Sequence, residues 1–368
     1  MNILHISGAK VWGGNEQQLI LNVNELNNLG SKNYIFGIDN SPLHLSATNN
    51  NINFIPSFSK KISKFSNISQ LKKIISDYKI DVIHLHTSDS LTLFYIFNLV
   101  NKVKPKIIYS KKAVRASSSF FSKFKYNSKR LDIILCVSKK VKTDMINILN
   151  PVSQKKLQIV YDCISTNSKQ EVFDTSSFKN KYNLQPSTYL IGSIANHTSA
   201  KDLPNLIQAI YLLKNKYHLK DFKLIQIGDF SKLTPELELL IEKLELKNEI
   251  ILTGKIENAM SINPILDIFI VSSSREGGPT AALEAMLLKT NIVTTDVGIM
   301  SEIIYNNKNG FICQPKNSEE LAKSIFEAYT TPKDKLNEMK DFNYKLVAEN
   351  FNSKKSAQKL IEIYSSKI

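Results

Sequence analysis

The sequence has little with which to staple or anchor itself. Its 368 residues hold only three cysteines, Cys136, Cys163 and Cys313, and none falls in a C-x-x-C pair. That excludes a disulfide framework and a cysteine-based zinc site, and predicts buried, inert thiols. No run of 18 apolar residues is present, so no helix is expected to cross a bilayer. The start, Met-Asn-Ile-Leu-His-Ile-Ser, lacks a basic segment, a long apolar core and a cleavage site, which predicts a cytoplasmic protein. Solenoid repeats and low-complexity tracts are missing too. Acids are scarce in one region: between Lys102 and Lys156 there are 15 Lys or Arg against Asp132 and Asp144 alone. Nucleotide bias accounts for a high overall charge of +15 but not for its clustering. A basic face suits an anionic membrane surface or a phosphorylated acceptor; without a recognisable binding motif, nucleic acid is not expected.

What is present is an alternation of short apolar runs and amphipathic stretches, the pattern of parallel sheets covered on both faces. The first half predicts strands at 2–7, 33–38, 52–55, 81–86, 106–109, 132–137 and 157–161, with helices near 15–29, 67–78, 89–101 and 139–149. The second half predicts strands at 189–194, 222–227, 249–252, 267–271, 291–295 and 310–312. Its helices are expected near 202–217, 234–246, 279–288, 318–330, 335–348 and 353–366. Between the halves, residues 163–187 are polar and Ser/Asn-rich, closed by Pro186, and read as a linker. The expected organisation is an α/β chain of two doubly wound, Rossmann-like domains, 1–165 and 188–350. They are joined by a linker at 166–187 and followed by a helical segment at 351–368. A ligand is expected between the domains, outside the carboxyl ends of the strands.

The most informative segment is 272–302, SSSREGGPTAALEAMLLKTNIVTTDVGIMSE. A strand leads into Gly277-Gly278, and Pro279 stands at the favoured first position of a helix. Backbone N–H groups over 278–281, Thr280 included, are then free to face a phosphate. Glu276 precedes the helix and Glu284 lies about a turn and a half into it, so the two acids address different ends of an elongated ligand. The plain alternative is a solvated loop acid, an exposed helix acid and a turn.

This stretch resembles the signature of glycosyltransferase family 4, a Ser-x-x-Glu-Gly loop running into a Glu-Ala-Met helix. Ser273, Glu276, Gly277, Pro279, Glu284, Ala285 and Met286 match it, and Thr295, Asp296, Val297, Gly298 and Glu302 match the strand and turn that follow. The resemblance implies a GT-B fold, with an acceptor-binding first domain and a nucleotide-sugar-binding second domain. It implies that Glu276 contacts the donor sugar and Glu284 the ribose, and that the last helix returns to the first domain. Lys201, before a helix, matches the family's diphosphate-binding lysine, and Gly192-Ser193 matches the strand that leads to it. Gly13-Gly14-Asn15-Glu16 resembles the family's glycine-rich loop near the diphosphate and acceptor, although it also reads as a simple strand-to-helix turn. Arg115 is a further acceptor-side candidate.

His84-Leu85-His86 ends a strand, with both imidazoles on one face. A metal pair needs a further ligand at matching spacing, and none is evident in the sequence. His84 reads as a core histidine satisfied by backbone. The family places a histidine that touches the donor sugar at His86. Three departures stand out: Ser193 replaces the family's usual arginine, Cys163 a glycine, and Lys289 and Asn291 a glycine and proline.

The resemblance implies retaining transfer from a UDP- or GDP-linked sugar to a glycan or lipid-linked acceptor in bacterial-type surface polysaccharide synthesis. Glu276, His86 and Lys201 would be its catalytic residues. Lys201, helix amides and the Gly13-Gly14 backbone would balance the diphosphate, so neither a metal nor another cofactor is expected, and no Asp-x-Asp motif occurs. The location implied is cytoplasmic, peripheral on the inner membrane face. A nucleotide-sugar epimerase shares the architecture and is distinguished by product formation without acceptor. A non-catalytic sugar-nucleotide-binding module is distinguished by absent turnover. A nicotinamide dehydrogenase requires G-x-G-x-x-G after the first strand, which Gly8, Gly13 and Gly14 do not supply.

Overall fold

The computed structural model describes residues 1–102, 104–113, 120–165 and 174–366. They form two compact units, Met1–Ser165 with Phe351–Ile368, and Thr166–Asn350.

The first unit holds a seven-stranded parallel sheet of β1 (Asn2–Ser7), β2 (Lys32–Ile38), β3 (Asn53–Ser57), β4 (Val82–Leu85), β5 (Lys106–Lys111), β6 (Ile133–Cys136) and β7 (Leu157–Ile159). Their order is β3-β2-β1-β4-β5-β6-β7. The central strands are buried without alternation because helices cover both faces; all four residues of β4 and of β6 are buried. Strand order reverses between β1 and β4, which opens a crevice at their carboxyl ends.

The last helix, Ser353–Ser365, belongs to this unit. Its Ala357, Leu360, Ile363 and Tyr364 join Ile3, Leu26, Val82, Ile108, Ile133 and Leu135 in one buried cluster. Lys106, at the start of β5, caps the helix end: its Nζ donates to Ile363 O (2.6 Å), Ser366 O (2.7 Å) and Ser366 Oγ (2.8 Å). A cation among free carbonyls is favoured by the helix dipole as well as by hydrogen bonding.

The second unit repeats the plan with β8 (Tyr189–Ile194), β9 (Phe222–Ile227), β10 (Ile250–Gly254), β11 (Ile268–Val271), β12 (Asn291–Thr295) and β13 (Phe311–Cys313). Their order is β10-β9-β8-β11-β12-β13, with the reversal between β8 and β11. Leu206, Ile210, Leu213, Leu321 and Ile325, from the Leu203–Asn215 and Ser318–Thr330 helices, build much of its core.

Several short helices escape the sequence pattern, including Pro42–Asn49, Phe120–Tyr126 and Thr175–Lys181. The last lies within the stretch read as linker. Asp174 caps it by accepting from Ser177 N, and Phe178 is buried. One buried aromatic turns seven otherwise polar residues into structure.

Candidate functional site

In the second unit the loops leaving β8 and β11 meet where strand order reverses. Lys201 Nζ and Glu276 form an ion pair there, the lysine about a quarter and the glutamate about a sixth exposed. Ser273 Oγ donates to Glu276 Oε1 at 3.0 Å. The two loops are laced together by hydrogen bonds to backbone carbonyls: Ser274 N donates to Ala200 O (2.8 Å) and Ser272 Oγ to Lys201 O (2.9 Å). On the other side, Thr295 Oγ1 donates to Ser273 O (2.7 Å), and Ile299 N to Gly277 O (3.0 Å). Gly298 has φ +52°, and a Cβ there would lie 2.3 Å from Gly277 O. The Thr-Asp-Val-Gly turn therefore buttresses the glutamate loop, which gives a physical reason for the two segments to occur as one motif.

The helix after the loop is Thr280–Leu287, and Pro279 is its N-cap, without a side-chain cap. This corrects the expected placement by one residue: proline precedes the first helical turn, and it has no N–H to offer. Among the described residues, the N–H groups of Gly278, Thr280 and Ala281 make no backbone hydrogen bond. They stand where the loop that carries Glu276 runs into the helix. Glu284 is half-buried on this helix. Gly192 and Ser193 lie inside β8, not at its end. A Cβ on Gly192 would approach Leu266 Cδ1 to 2.1 Å, so a larger residue there would have to push the end of the Leu266 side chain aside, and Ser193 is buried.

In the first unit the corresponding crevice holds three imidazoles. His5 on β1 pairs in register with His84 on β4. His5 Nδ1 lies 3.0 Å from His86 Nε2, and His5 Nε2 lies 3.1 Å from Asn33 Oδ1. His84 is satisfied not by backbone, as expected, but by side chains, with Nδ1 2.7 Å from Tyr364 OH and Nε2 2.8 Å from Ser110 Oγ. Burial disfavours the imidazolium in all three: His5 titrates at about 4, and His84 and His86 are held well below the usual histidine value. Positive charge on neighbouring histidines and on Lys112 lowers His84 and His86 further. His5 also supplies the third ligand that sequence spacing did not show, since one ring nitrogen from each histidine falls within 4.8 Å of the others. Both nitrogens of His84 and of His5 are already committed to hydrogen bonds, so a metal would have to displace partners from buried rings.

His86 opens onto a cavity that Asn15, Gln18, Lys112 and Asp162 also line. Lys112 and Asp162 form an ion pair. Gln18 accepts from Cys163 N (2.9 Å) and donates to Cys163 O (2.5 Å). The N-cap of the Gly14–Asn28 helix is Gly13, whose φ of −165° any residue can adopt. Glu16, three residues on, is buried; desolvation raises its pKa, opposed by hydrogen bonds from the backbone of Glu16 and Gly13 and by Lys112. Its carboxylate therefore serves the helix start, as in a capping box. Arg115 lies outside the described residues. His5, Asn33, Gln18 and Asp162 were missed because each is unremarkable in its own segment, and Lys112, expected on an outward basic face, pairs with Asp162 instead.

Residues 174–365, just over half of the chain, match the family described as glycosyl transferases group 1, and residues 12–168 match glycosyltransferase family 4. An N-acetyl-alpha-D-glucosaminyl L-malate synthase of Bacillus anthracis is 22% identical over 206 residues, covering 55% of this chain and 51% of that protein. The capsular polysaccharide biosynthesis glycosyltransferase CapM of Staphylococcus aureus is 23% identical over 200 residues, 52% of this chain and 50% of its own. This chain spans about half the length of the curated relatives it matches. Over its whole length the fold is shared with solved structures. A glycosyltransferase of Rickettsia africae superposes with TM-score 0.82 at 24% identity, covering 99% of this chain and 97% of that one. HepE of Anabaena, solved with UDP-glucose, superposes with TM-score 0.85 at 17% identity, covering all of both chains. With the Ser-x-x-Glu-Gly loop at one strand reversal, a histidine crevice at the other and both halves matched, the chain belongs to glycosyltransferase family 4, with the GT-B fold.

Proposed function

We propose that the chain is a retaining, metal-independent glycosyltransferase. It would carry a sugar from a UDP- or GDP-linked donor to a glycan or lipid-linked acceptor in surface polysaccharide synthesis. The observation that carries this reading is the Lys201–Glu276 pair at the β8/β11 reversal, beside the unpaired N–H groups that open the 280–287 helix. A diphosphate entering there exchanges Lys201's partner: the ammonium turns to phosphate oxygen and Glu276 is released to accept from sugar hydroxyls. Lys201 and the amides then stabilise the charge that grows as the anomeric carbon–oxygen bond breaks. The acceptor oxygen bonds to the anomeric carbon on the same face, and a diphosphate oxygen takes the acceptor's proton. Because an ammonium and oriented amides meet the diphosphate charge, no metal ion is required. His86 and Glu284 hold the sugar and the ribose, which is a matter of alignment.

The test is titration calorimetry with UDP-glucose and GDP-mannose, then product analysis by NMR. Binding of one donor, without added metal, and an acceptor-dependent product with the donor's anomeric configuration are expected. Sugar conversion without acceptor would establish the epimerase instead.

Peripheral membrane association is part of the same reading, on a narrower footing than the charge count. Lys111 Nζ donates to Tyr126 OH, Lys112 pairs with Asp162, Lys106 caps a helix, and Lys156 donates to Leu131 O and Ser128 O. These four serve the fold. Among the described residues Lys102, Lys104, Lys123, Lys129, Lys139, Lys140 and Lys155 stay exposed, and Lys123 shares the Phe120–Tyr126 helix with Phe120, Phe121 and Phe124, three phenylalanines at least half exposed. Aromatics with lysines form an interfacial combination.

A further inference from the structure

The contact between His5 and His86 has a polarity, and the residue that sets it lies outside the crevice. Two neutral imidazole nitrogens 3.0 Å apart must be one N–H and one lone pair. Which is which follows from a backbone carbonyl. Ser31 O can only accept, and it lies 3.3 Å from one terminal atom of the Asn33 side chain, which is therefore the amide nitrogen. The same nitrogen donates to Asn27 Oδ1 at 2.8 Å. Asn33 Oδ1 consequently faces His5 Nε2, so His5 carries its proton on Nε2 and has a bare Nδ1. Reversing any link sets two lone pairs, or two N–H groups, against each other in a buried strand pair, since His5 and Asn33 are each 1% exposed. An unmade hydrogen bond in such a place is costly.

We propose that Asn33 and His5 are positioning residues that fix the tautomer of His86: its proton is held on Nε2, and its Nδ1 is presented as a hydrogen-bond acceptor for a hydroxyl of the donor sugar. The sugar-contact half of this statement rests on the donor reading of His86; the tautomer half does not. Among the described residues Nδ1 of His86 has no partner, and His86 lines the cavity beside β1 and β4. Burial, then His84, His5 and Lys112, keep the ring from taking a second proton. A neutral acceptor recognises an O–H donor and offers nothing to a carboxylate. The site therefore favours a neutral sugar with a free hydroxyl over a uronic acid at that position.

The experiment is long-range proton–nitrogen NMR on the full chain labelled with ring-15N histidine at neutral pH. The chain has six histidines, and His86→Gln identifies the signals of His86. The expected spectrum has a protonated Nε2 and an unprotonated Nδ1 on His86. A protonated Nδ1, or two averaged nitrogens, overturns the proposal. In Asn33→Leu the constraint on His5 is gone, and the preference of His86 for one tautomer should fall about tenfold, the equivalent of one hydrogen bond. An unchanged tautomer in that variant, with the signals of His84 and His197 still native, removes Asn33 from the relay. Should Asn33→Leu fail to fold, the wild-type spectrum still decides the polarity. Adding UDP-glucose and GDP-mannose separately tests the other half: one of them should move Nδ1 of His86. If neither does while Nδ1 is bare, the tautomer relay stands and the donor contact is overturned.

Discussion

At the residue scale the second unit's ion pair and the first unit's imidazoles make opposite demands. Glu276 is held by Lys201 and Ser273, so Glu276→Gln keeps the shape and removes the charge. Nucleoside diphosphate binding should survive while turnover falls about 10²-fold, a size typical of lost transition-state contacts. Wild-type turnover in that variant would remove the assignment. Lys201→Ala should abolish measurable donor binding in calorimetry, because the position of the family's arginine is filled by Ser193, buried within β8. The imidazoles bear on stability. His5, His84 and His86 have folded pKa values below the unfolded value, so below about pH 6.5 the unfolded chain binds more protons. Stability should therefore fall as pH drops below 6.5, by up to roughly 3 kcal/mol from His5 alone as pH nears 4. Urea midpoints measured from pH 7 to pH 4 should drop steeply across that window; a flat profile contradicts the burial argument. Glu276 and Lys201 were legible because their loops carry a compact motif. Gln18 and Lys112 were not, since nothing local marks a glutamine whose partner is the backbone 145 residues away.

At the element scale, long periodic segments were read within three residues at either end, and the missed short helices share one cause. The Phe120–Tyr126 and Thr175–Lys181 helices are each seven residues long. Two turns do not establish a period, and such helices exist by tertiary anchoring rather than propensity. The final helix was legible as a helix, yet its docking depends on Lys106, a residue of a distant strand. Lys106→Met removes three donors to the helix end. It should cost about 1–2 kcal/mol and speed amide exchange selectively over residues 360–365. Exchange that rises uniformly, or not at all, would show that the cap does not hold this element.

At the scale of the whole molecule, the first unit is assembled from both ends of the chain. Deleting residues 351–368 would uncover Ile3, Leu26, Val82, Ile108, Ile133 and Leu135. The truncated protein should be recovered mainly as aggregate, which sedimentation of the lysate measures. The surface of Phe120, Phe121 and Phe124 makes a further prediction. Replacing all three with Ser should reduce co-sedimentation with vesicles of anionic lipid about tenfold or more, leaving donor affinity unchanged; binding equal to wild type contradicts an interfacial role. The sequence by itself determined what is local and periodic: the alternation that yields two parallel sheets, and the Ser-x-x-Glu-Gly to Glu-Ala-Met segment that marks the family. Those signals survive in sequence because a strand, a turn or a helix start is made by neighbours in the chain. Only the tertiary structure decided which lysines face inward, which histidine joins His84 and His86, and which amide sets their polarity. Such choices depend on strand order. Parallel pairing brings His5 beside residues 84–86, and Lys106 beneath a helix 257 residues later, and no local pattern encodes that adjacency.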